Sequence, residues 1–464
     1  MTERNPLIAA LFSASQPDLA GLITDLPPFD PRDRLLDQDE RTDRLGALYR
    51  FRVPFEWHRD LKRRSDEAMQ LGYSQRNPTD LEYETQLDQQ LDALERGERG
   101  YGGAARSFSL RGESGMGKTF AIEAIGRTYP PWVVHDTANG ERHFSATQIP
   151  LLYVNTPAIA TPKQVSRDLI GALDTRLERM QYHLYPTKPP ARPFAADYSG
   201  RSTVEDLSVG AANLLRRFHV GLVVLDEIQN LSPARSGGED RVFQYILNLT
   251  NTLRVPILFV GTPHALDWLE STEYLERRLE GLPPVIVHPM RLGDDDWETL
   301  IDALFRYVYL RGPVDRNAVS EALWNVSLGK TDNAIVAFRD AQEVALERGV
   351  ETLDPAGIYD AFAAKHPGRA ARLRRVTGGS APALLAPPQP LPKGDAPTAP
   401  SADDDPPPVR RARRRGRSQG GPSQGAQATA QQAGAPEAMD VDASRKDMME
   451  DLAPDGPLSR PNRA

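Results

Sequence analysis

The sequence predicts an α/β fold in which a parallel sheet is flanked by helices, followed by a helical lid and a disordered tail. Short apolar runs alternate with helix-period stretches between about residues 106 and 291, which is the pattern of a parallel sheet. One run, Gly221 to Leu225, is uninterrupted, as expected for a strand that is covered on both faces. A glycine-rich loop lies between the first strand and the first helix of this region. Together these observations favour a nucleotide-binding core.

The loop from Gly112 to Thr119 contains the complete G-x-x-x-x-G-K-[ST] pattern of a phosphate-binding loop. We expect its three glycines to adopt positive φ and to let backbone N–H groups approach a phosphate. Lys118 would face the β- and γ-phosphates, and the Thr119 hydroxyl would hold Mg²⁺. The alternative is a glycine-rich turn before an ordinary helix. The predicted nucleotide-binding residues of the loop are Gly112, Glu113, Ser114, Gly115, Met116, Gly117, Lys118 and Thr119.

Composition narrows the possible functions. The 464 residues have room for two or three domains, and the absence of cysteine excludes disulfides, thiolate metal sites and cysteine nucleophiles. No signal segment and no apolar run of membrane-spanning length is present, so we expect a cytoplasmic protein without a membrane partner. The net charge of −8 means that any nucleic-acid surface is a local patch.

Residues 1–105 predict a helical N-terminal extension, because they lack strand alternation and contain helix-period stretches. The extension contains a turn-rich entry, Leu26 to Pro31, and an aromatic-basic run, Phe55 to Arg59. These two segments either dock a partner or pack the extension onto the core.

Two short strands are predicted after the phosphate loop, Trp132 to His135 and Ile149 to Val154, with a polar loop between them. The second strand is expected in the centre of the sheet. An amphipathic helix then begins near Lys163, and Thr203 is expected to cap the helix that precedes Gly221.

The buried strand ends in two carboxylates, Asp226 and Glu227. In parallel sheets ligands bind at the carboxyl ends of the strands, so both residues should face the phosphate loop. Asp226 is placed to hold Mg²⁺ through its water shell, and Glu227 to orient and deprotonate an attacking water. The alternative is a capping pair at a strand end.

A second apolar strand, Val255 to Val260, leads to Thr262, which either contacts the γ-phosphate or caps the next helix. Arg277 and Arg278 follow at a predicted helix end. They either form a solvated face that complements the helix dipole or include an arginine finger that reaches a neighbouring subunit's nucleotide.

Residues 292–370 show only helical periodicity and predict a lid of four amphipathic helices. Residues 378–464 are rich in Pro, Ala, Gln, Ser and Gly, which predicts a disordered tail. The tail contains a basic block, Arg410 to Arg417, that could contact nucleic acid, contact an acidic partner or keep the tail solvated.

This order of motifs resembles the AAA+ P-loop NTPases. Three stretches are more specific: LDEIQNLS from Leu225 to Ser232, RSGG from Arg235 to Gly238, and VGTP from Val260 to Pro263. They resemble the TnsC/TniB family of ATP-dependent regulators of Tn-seven-type bacterial DNA transposons. NPLI near the start, RNP from Arg76 and DNAIV from Asp332 agree with this, and the resemblance covers about residues 5–370.

The resemblance implies an ATPase that uses ATP and Mg²⁺ and assembles as a ring or filament around double-stranded DNA. It also implies that Lys163 and Thr203 face the DNA backbone, and that a target selector (TniQ- or TnsD-like) and transposase subunits (TnsA- or TnsB-like) are partners in the bacterial cytoplasm. One departure concerns the second sensor, an arginine at the start of the third lid helix in many AAA+ proteins. Here only Lys330 is present, and its role is unassigned. The alternatives are another loader-type AAA+ ATPase, such as a helicase loader or replication initiator, and a nucleotide-gated scaffold.

Overall fold

The computed structural model describes residues 5–80, 105–139, 142–158, 161–198, 201–231, 241–270 and 281–376, with a few single residues between 83 and 96. Five of its strands form one parallel sheet in the order β4-β5-β6-β1-β7. These strands are β1 (Phe108–Gly112), β4 (Leu151–Asn155), β5 (Leu222–Asp226), β6 (Ile257–Gly261) and β7 (Val285–Val287). Their carboxyl ends therefore lie along one edge of the sheet, which brings the phosphate loop after β1 close to the carboxylates at the end of β5.

Helices surround this sheet and continue beyond it. Before the phosphate loop lie α1 (Pro6–Phe12), α2 (Leu19–Ile23), α3 (Gln38–Gly46) and α4 (Glu56–Ser74). Between the strands lie α5 (Lys118–Arg127), α6 (Pro162–Leu184), α7 (Val204–Arg217), α8 (Arg241–Leu253) and α9 (Pro263–Glu270). After β7 come α10 (Asp295–Leu304), α11 (Arg316–Ser327), α12 (Thr331–Glu347), α13 (Pro355–Lys365) and α14 (Pro367–Val376), which we call the C-terminal helices. None of the described helices is both long and apolar enough to cross a membrane.

Strand β5 shows why its sequence has no polar alternation. Val223 and Leu225 pack with α6, α7 and α8 on one face of the sheet. Leu222 and Val224 pack with α1, α4 and α5 on the other face. All five residues of β5 are buried, so the apolar run predicts the two-sided covering correctly.

Two predictions about the strands were wrong. The strand from Ile149 to Val154, expected in the centre of the sheet, corresponds to β4, and β4 lies at the sheet edge. The expected polar loop before it contains strand β3 (Arg142–Gln148), which pairs antiparallel with β2 (Val133–Asn139) in a separate two-stranded hairpin. Strand β3 consists mainly of polar residues, so its composition resembles a loop although its backbone is extended.

The N-terminal segment packs against both the sheet and the C-terminal helices. Leu7, Leu61 and Met69 belong to the core on the sheet face. The segment from Leu45 to Phe55 shares a different core with Trp297 and Phe338. Arg41 adds a two-pronged ion pair to Glu351, with both N–O distances at 2.8 Å. The N-terminal extension therefore packs onto the rest of the protein, as one of the two alternatives predicted. Docking of a partner stays a prediction.

Candidate nucleotide site

The phosphate loop owes its shape to two glycines in the left-handed region. Gly115 has φ +85° and Gly117 has φ +80°, conformations that side-chain-bearing residues rarely adopt. A Cβ added to Gly117 would meet no atom within 4 Å, so this part of the loop borders open space. The expectation of positive φ at Gly112 was wrong, because Gly112 is the last residue of β1. It is needed for close packing instead, since a Cβ there would lie 3.0 Å from the Cβ of Val287.

Lys118 begins α5 and folds back over the loop. Its ammonium donates hydrogen bonds to the carbonyl oxygens of Gly112, at 2.7 Å, and Glu113, at 2.9 Å. Burial lowers the pKa of Lys118, while the nearby carboxylates of Asp226, Glu227 and Glu113 act in the opposite direction. The ammonium is therefore held at the mouth of the loop.

Asp226 connects the loop to the end of β5. Its Oδ2 accepts hydrogen bonds from the Thr119 hydroxyl at 2.9 Å and from the Tyr153 hydroxyl at 2.7 Å. Its Oδ1 accepts the backbone N–H of Glu227 at 2.8 Å, and the residue is only 3% exposed. These contacts fix the carboxylate beside the Thr119 hydroxyl. Tyr153 was not among the predicted site residues, although β4 pairs with β5 in a register that sets it opposite Val224.

Glu227 occupies an unusual backbone conformation. Its φ is +58°, in the left-handed region, where a residue with a Cβ is strained. The side chain amide of Gln229 donates to the Glu227 carboxylate, and the backbone carbonyl of Glu227 accepts the N–H of Asn230 at 3.0 Å. The Glu227 side chain is exposed at this bend. Gln229 is a second residue of this site that was not among the predicted ones.

Thr262 follows β6 and precedes α9. Its backbone carbonyl accepts the N–H groups of Ala265 and Leu266 at 3.1 and 3.2 Å. Within the described part of the chain the Thr262 hydroxyl makes no hydrogen bond. No side-chain contact therefore supports the alternative that Thr262 caps α9. Arg277 and Arg278, the two candidates for an arginine finger, lie outside the described residues.

The C-terminal helices reach the phosphate loop at the start of α12. Lys330 forms an ion pair with Glu113, and the backbone N–H of Asp332 donates to the Gly115 carbonyl at 3.2 Å. The sequence left Lys330 without a role. The structure places it beside the second residue of the loop.

The oxygen donors at this site suit magnesium. In the described ranges no three His, Cys, Asp or Glu side chains gather into a metal-holding group. Mg²⁺, however, is commonly held by one carboxylate, a hydroxyl and the phosphates of its substrate. Thr119 and Asp226 would be such a pair of ligands, beside a loop that borders open space at Gly117.

The two predicted DNA contacts lie at helix starts. Lys163 lies in the first turn of α6. In this turn the Thr161 hydroxyl accepts the N–H of Gln164 at 3.1 Å. Thr203 forms a capping box with Asp206. Helix α6 starts after the carboxyl end of β4, whereas α7 ends near the amino end of β4, where the N–H of Ile149 donates to the Phe218 carbonyl at 2.9 Å. Both helix starts therefore lie toward the carboxyl edge of the sheet.

The site and sheet define an AAA+ P-loop fold, a parallel five-stranded sheet flanked by helices, as the sequence predicted. Residues 103–269 match the family model of the AAA domain. A search of curated proteins gave no match.

Several solved structures are similar at low identity. The ORC1 protein of Aeropyrum pernix in complex with DNA is 20% identical, with a TM-score of 0.38 over 63% of this chain and 68% of that chain. The Walker-type ATPase of Pyrococcus abyssi is 18% identical, with a TM-score of 0.36 over 63% and 75%. The Cdc6p of Pyrobaculum aerophilum is 18% identical, with a TM-score of 0.33 over 61% and 67%.

Proposed function

We propose that this protein is a magnesium-dependent ATPase that assembles on double-stranded DNA and regulates DNA transposition, linking target-site selection to the transposase. The observation that supports the ATPase part is the hydrogen bond of the Thr119 hydroxyl to Asp226, next to Lys118 and a left-handed phosphate loop. This hydrogen bond brings the phosphate loop and the carboxylate at the end of β5 together, although the two motifs are far apart in the sequence.

Each residue of the site has a task in hydrolysis. Bound Mg²⁺ would neutralise charge on the β- and γ-phosphates, with Thr119 and Asp226 holding it. Lys118 binds the same phosphates with its ammonium. Glu227 accepts the proton of the attacking water, and Gln229 orients that carboxylate through its amide. Thr262 donates its hydroxyl toward the γ-phosphate.

Oligomerisation is part of this proposal because Arg277 or Arg278 would complete a neighbouring subunit's site. An arginine that acts in trans lowers hydrolysis when removed but leaves nucleotide binding by its own subunit intact. Mixing Arg278→Ala with Lys118→Ala should then restore activity at hybrid interfaces. If no mixing ratio restores any activity, the site is not shared between subunits.

DNA binding is assigned to the helix starts at Lys163 and Thr203. Helix N-termini and a lysine suit phosphate oxygens, which carry no sequence information, so the proposal predicts binding without sequence preference and with steep salt dependence. The first turn of α7 also contains Glu205 and Asp206, which oppose phosphate. Lys163 is therefore the stronger contact.

The test compares Lys163→Glu with Lys188→Glu, which makes the same charge change on an exposed loop residue whose ammonium lies 4.1 Å from the Tyr185 ring centroid. Duplex binding is measured with an ATP analogue at several salt concentrations. We expect Lys163→Glu alone to weaken binding strongly. Equal binding by both variants would show that the DNA face is assigned wrongly.

The transposition role is supported by the sequence motifs alone, and a loader or initiator ATPase is the alternative. Genes for transposase subunits beside the gene for this protein, and activation of that transposase by the purified protein with ATP and duplex DNA, are the expected results. Activation of a helicase-loading reaction instead would favour the alternative. A nucleotide-gated scaffold would function equally well with Glu227→Gln, in which hydrolysis is blocked.

A further inference from the structure

The phosphate loop contains an acidic residue where an anion is to bind. Glu113 is the second residue of the pattern, and half of its side chain is exposed. Its carboxylate pairs with Lys330, which comes from the turn between α11 and α12. A carboxylate in this position repels phosphate, so its presence calls for a physical reason.

The turn that holds Lys330 is built rigidly. Leu328 and Gly329 both have positive φ, at +53° and +70°. The Gly329 carbonyl accepts the N–H of Met290 at 3.0 Å, and the Met290 carbonyl accepts the indole N–H of Trp324 at 3.0 Å. With the additional hydrogen bond from the Asp332 N–H to the Gly115 carbonyl, the backbone is held on both sides of Lys330, which places this residue beside the loop.

The carboxylates at the loop divide into two groups. The Asp226 carboxylate accepts hydrogen bonds from Thr119 and Tyr153, and the Glu227 carboxylate accepts one from Gln229. Glu113 has a backbone carbonyl that accepts from Lys118, but its carboxylate is engaged by Lys330. A nucleotide polyphosphate in the loop brings a denser negative charge to the same neighbourhood, so it would compete with Glu113 for the Lys330 ammonium.

We propose that Glu113 is an internal competitor of the nucleotide: its carboxylate holds Lys330 until the polyphosphate displaces it and takes the ammonium over. This inference rests on the proposed function, since it requires that the loop binds a nucleotide. The exchange makes the contact between the loop and the C-terminal helices depend on nucleotide, and it weakens nucleotide binding by the cost of breaking one partly exposed ion pair.

The test is a double-mutant cycle on nucleotide affinity with Glu113→Gln, Lys330→Gln and the double variant, measured by calorimetry with a non-hydrolysable ATP analogue and Mg²⁺. A partly exposed ion pair contributes up to about 1 kcal/mol, so Glu113→Gln should tighten binding by about two- to five-fold. In the Lys330→Gln background the same change should alter affinity by less than about two-fold, because the ammonium for which Glu113 and the polyphosphate compete is absent. Lys330→Gln alone should weaken binding.

Two controls accompany the cycle. Glu298→Gln breaks an ion pair with Arg316 within the C-terminal helices and should leave nucleotide affinity unchanged. Circular dichroism and thermal unfolding without nucleotide establish that each variant is folded, and Lys330→Arg, which keeps the charge, should retain the effect of Glu113→Gln if Lys330→Gln is poorly folded.

The outcomes separate this inference from the proposed function. An equal gain from Glu113→Gln in both backgrounds would mean that Glu113 repels phosphate directly, and the exchange would be wrong. No gain in either background would also overturn it, while nucleotide binding by the wild type would leave the proposed function standing. If the wild type bound no nucleotide, both would fail.

Discussion

The candidate nucleotide site has a loop side and a helix side. The residues of the first are neighbours in sequence, whereas those of the second are brought to the site by folding. On the loop side, Gly115, Gly117, Lys118 and Thr119 lie within a few residues of one another, and their conformations follow from local chemistry. On the helix side, Lys330 meets Glu113 only because the C-terminal helices fold back onto the loop. The comparison shows that a motif specifies the part of a site that the backbone makes locally. The part made by long-range packing has to be seen in the structure.

The difference also extends to what holds each side in place. The loop side is attached to β1 and β5, whose residues are buried on both faces of the sheet. The helix side depends on a turn with two positive-φ residues and on the packing of the N-terminal segment against α10 and α12. Substitutions on the loop side should therefore affect ATP hydrolysis. Substitutions on the helix side should affect the stability of the fold and the contact between the loop and the C-terminal helices.

The largest expected effect lies on the loop side. Glu227→Gln should lower ATP hydrolysis by about 10²–10⁴-fold, because a carboxamide cannot accept the proton of water, and nucleotide binding should remain. Lys118→Ala should lose nucleotide affinity itself. Steady-state phosphate release and calorimetry measure the two quantities, with Glu205→Gln, an exposed acid at the start of α7, as the control. Hydrolysis at the wild-type rate by Glu227→Gln would show that another residue is the base.

The same contrast explains how much the sequence could predict. The AAA+ fold, the phosphate loop and the carboxylates at the end of β5 were predicted, because the glycine pattern and the apolar runs are properties of neighbouring residues. The edge position of β4 and the hairpin strand β3 were missed, since strand order and pairing depend on contacts far apart in sequence. Tyr153 was missed because it belongs to no motif. Gln229 lies in the LDEIQNLS stretch but was given no role, and only the hydrogen bonds to Asp226 and Glu227 give these two residues one.

The next effect tests the turn on the helix side. A Cβ on Gly329 would lie 2.0 Å from the Met290 carbonyl oxygen at a φ of +70°, whereas Gly349 has a φ of +69° and no atom within 4 Å of such a Cβ. We expect Gly329→Ala to destabilise the fold by about 2–4 kcal/mol, and Gly349→Ala by about 1–2 kcal/mol from the left-handed backbone alone. Denaturant unfolding measures both. If both variants lost the same stability, the turn at Gly329 would accommodate the added Cβ without a further energetic cost.

A third effect concerns acid. Burial lowers the pKa of His58 to about 4, so the ring is neutral near pH 7, and its Nδ1 accepts the backbone N–H of Phe55 at 2.8 Å. Since the unfolded pKa is about 6.5, the unfolded chain binds more protons below that pH, so this stability is complete above about pH 6.5 and is lost as the pH falls toward 4. At pH 5 the loss is roughly 2 kcal/mol.

The His58 prediction is checked by denaturant unfolding at pH 7 and pH 5, for the wild type and for His58→Gln. His58 contacts Phe55, which shares a core with Trp297 of the C-terminal helices, so acid should loosen the helix side. The variant should lose less stability between the two pH values than the wild type, while the exposed His264→Gln should behave like the wild type. The same acid loss in His58→Gln would assign it to another group.

The smallest effect returns to the loop side, at Tyr153. Its hydroxyl donates to Asp226 at 2.7 Å and orients the carboxylate that is proposed to hold Mg²⁺. Removal of such a supporting hydrogen bond typically costs about ten-fold in metal affinity, so Tyr153→Phe should raise the Mg²⁺ concentration for half-maximal hydrolysis by about that factor. The maximal rate at saturating Mg²⁺ should change little, because Glu227 and Gln229 are untouched. Tyr182→Phe, at a side chain 74% exposed on α6, is the matched control. An unchanged Mg²⁺ requirement in Tyr153→Phe would mean that Thr119 and the backbone N–H of Glu227 suffice to place Asp226, and that the loop side is specified by its motif residues alone.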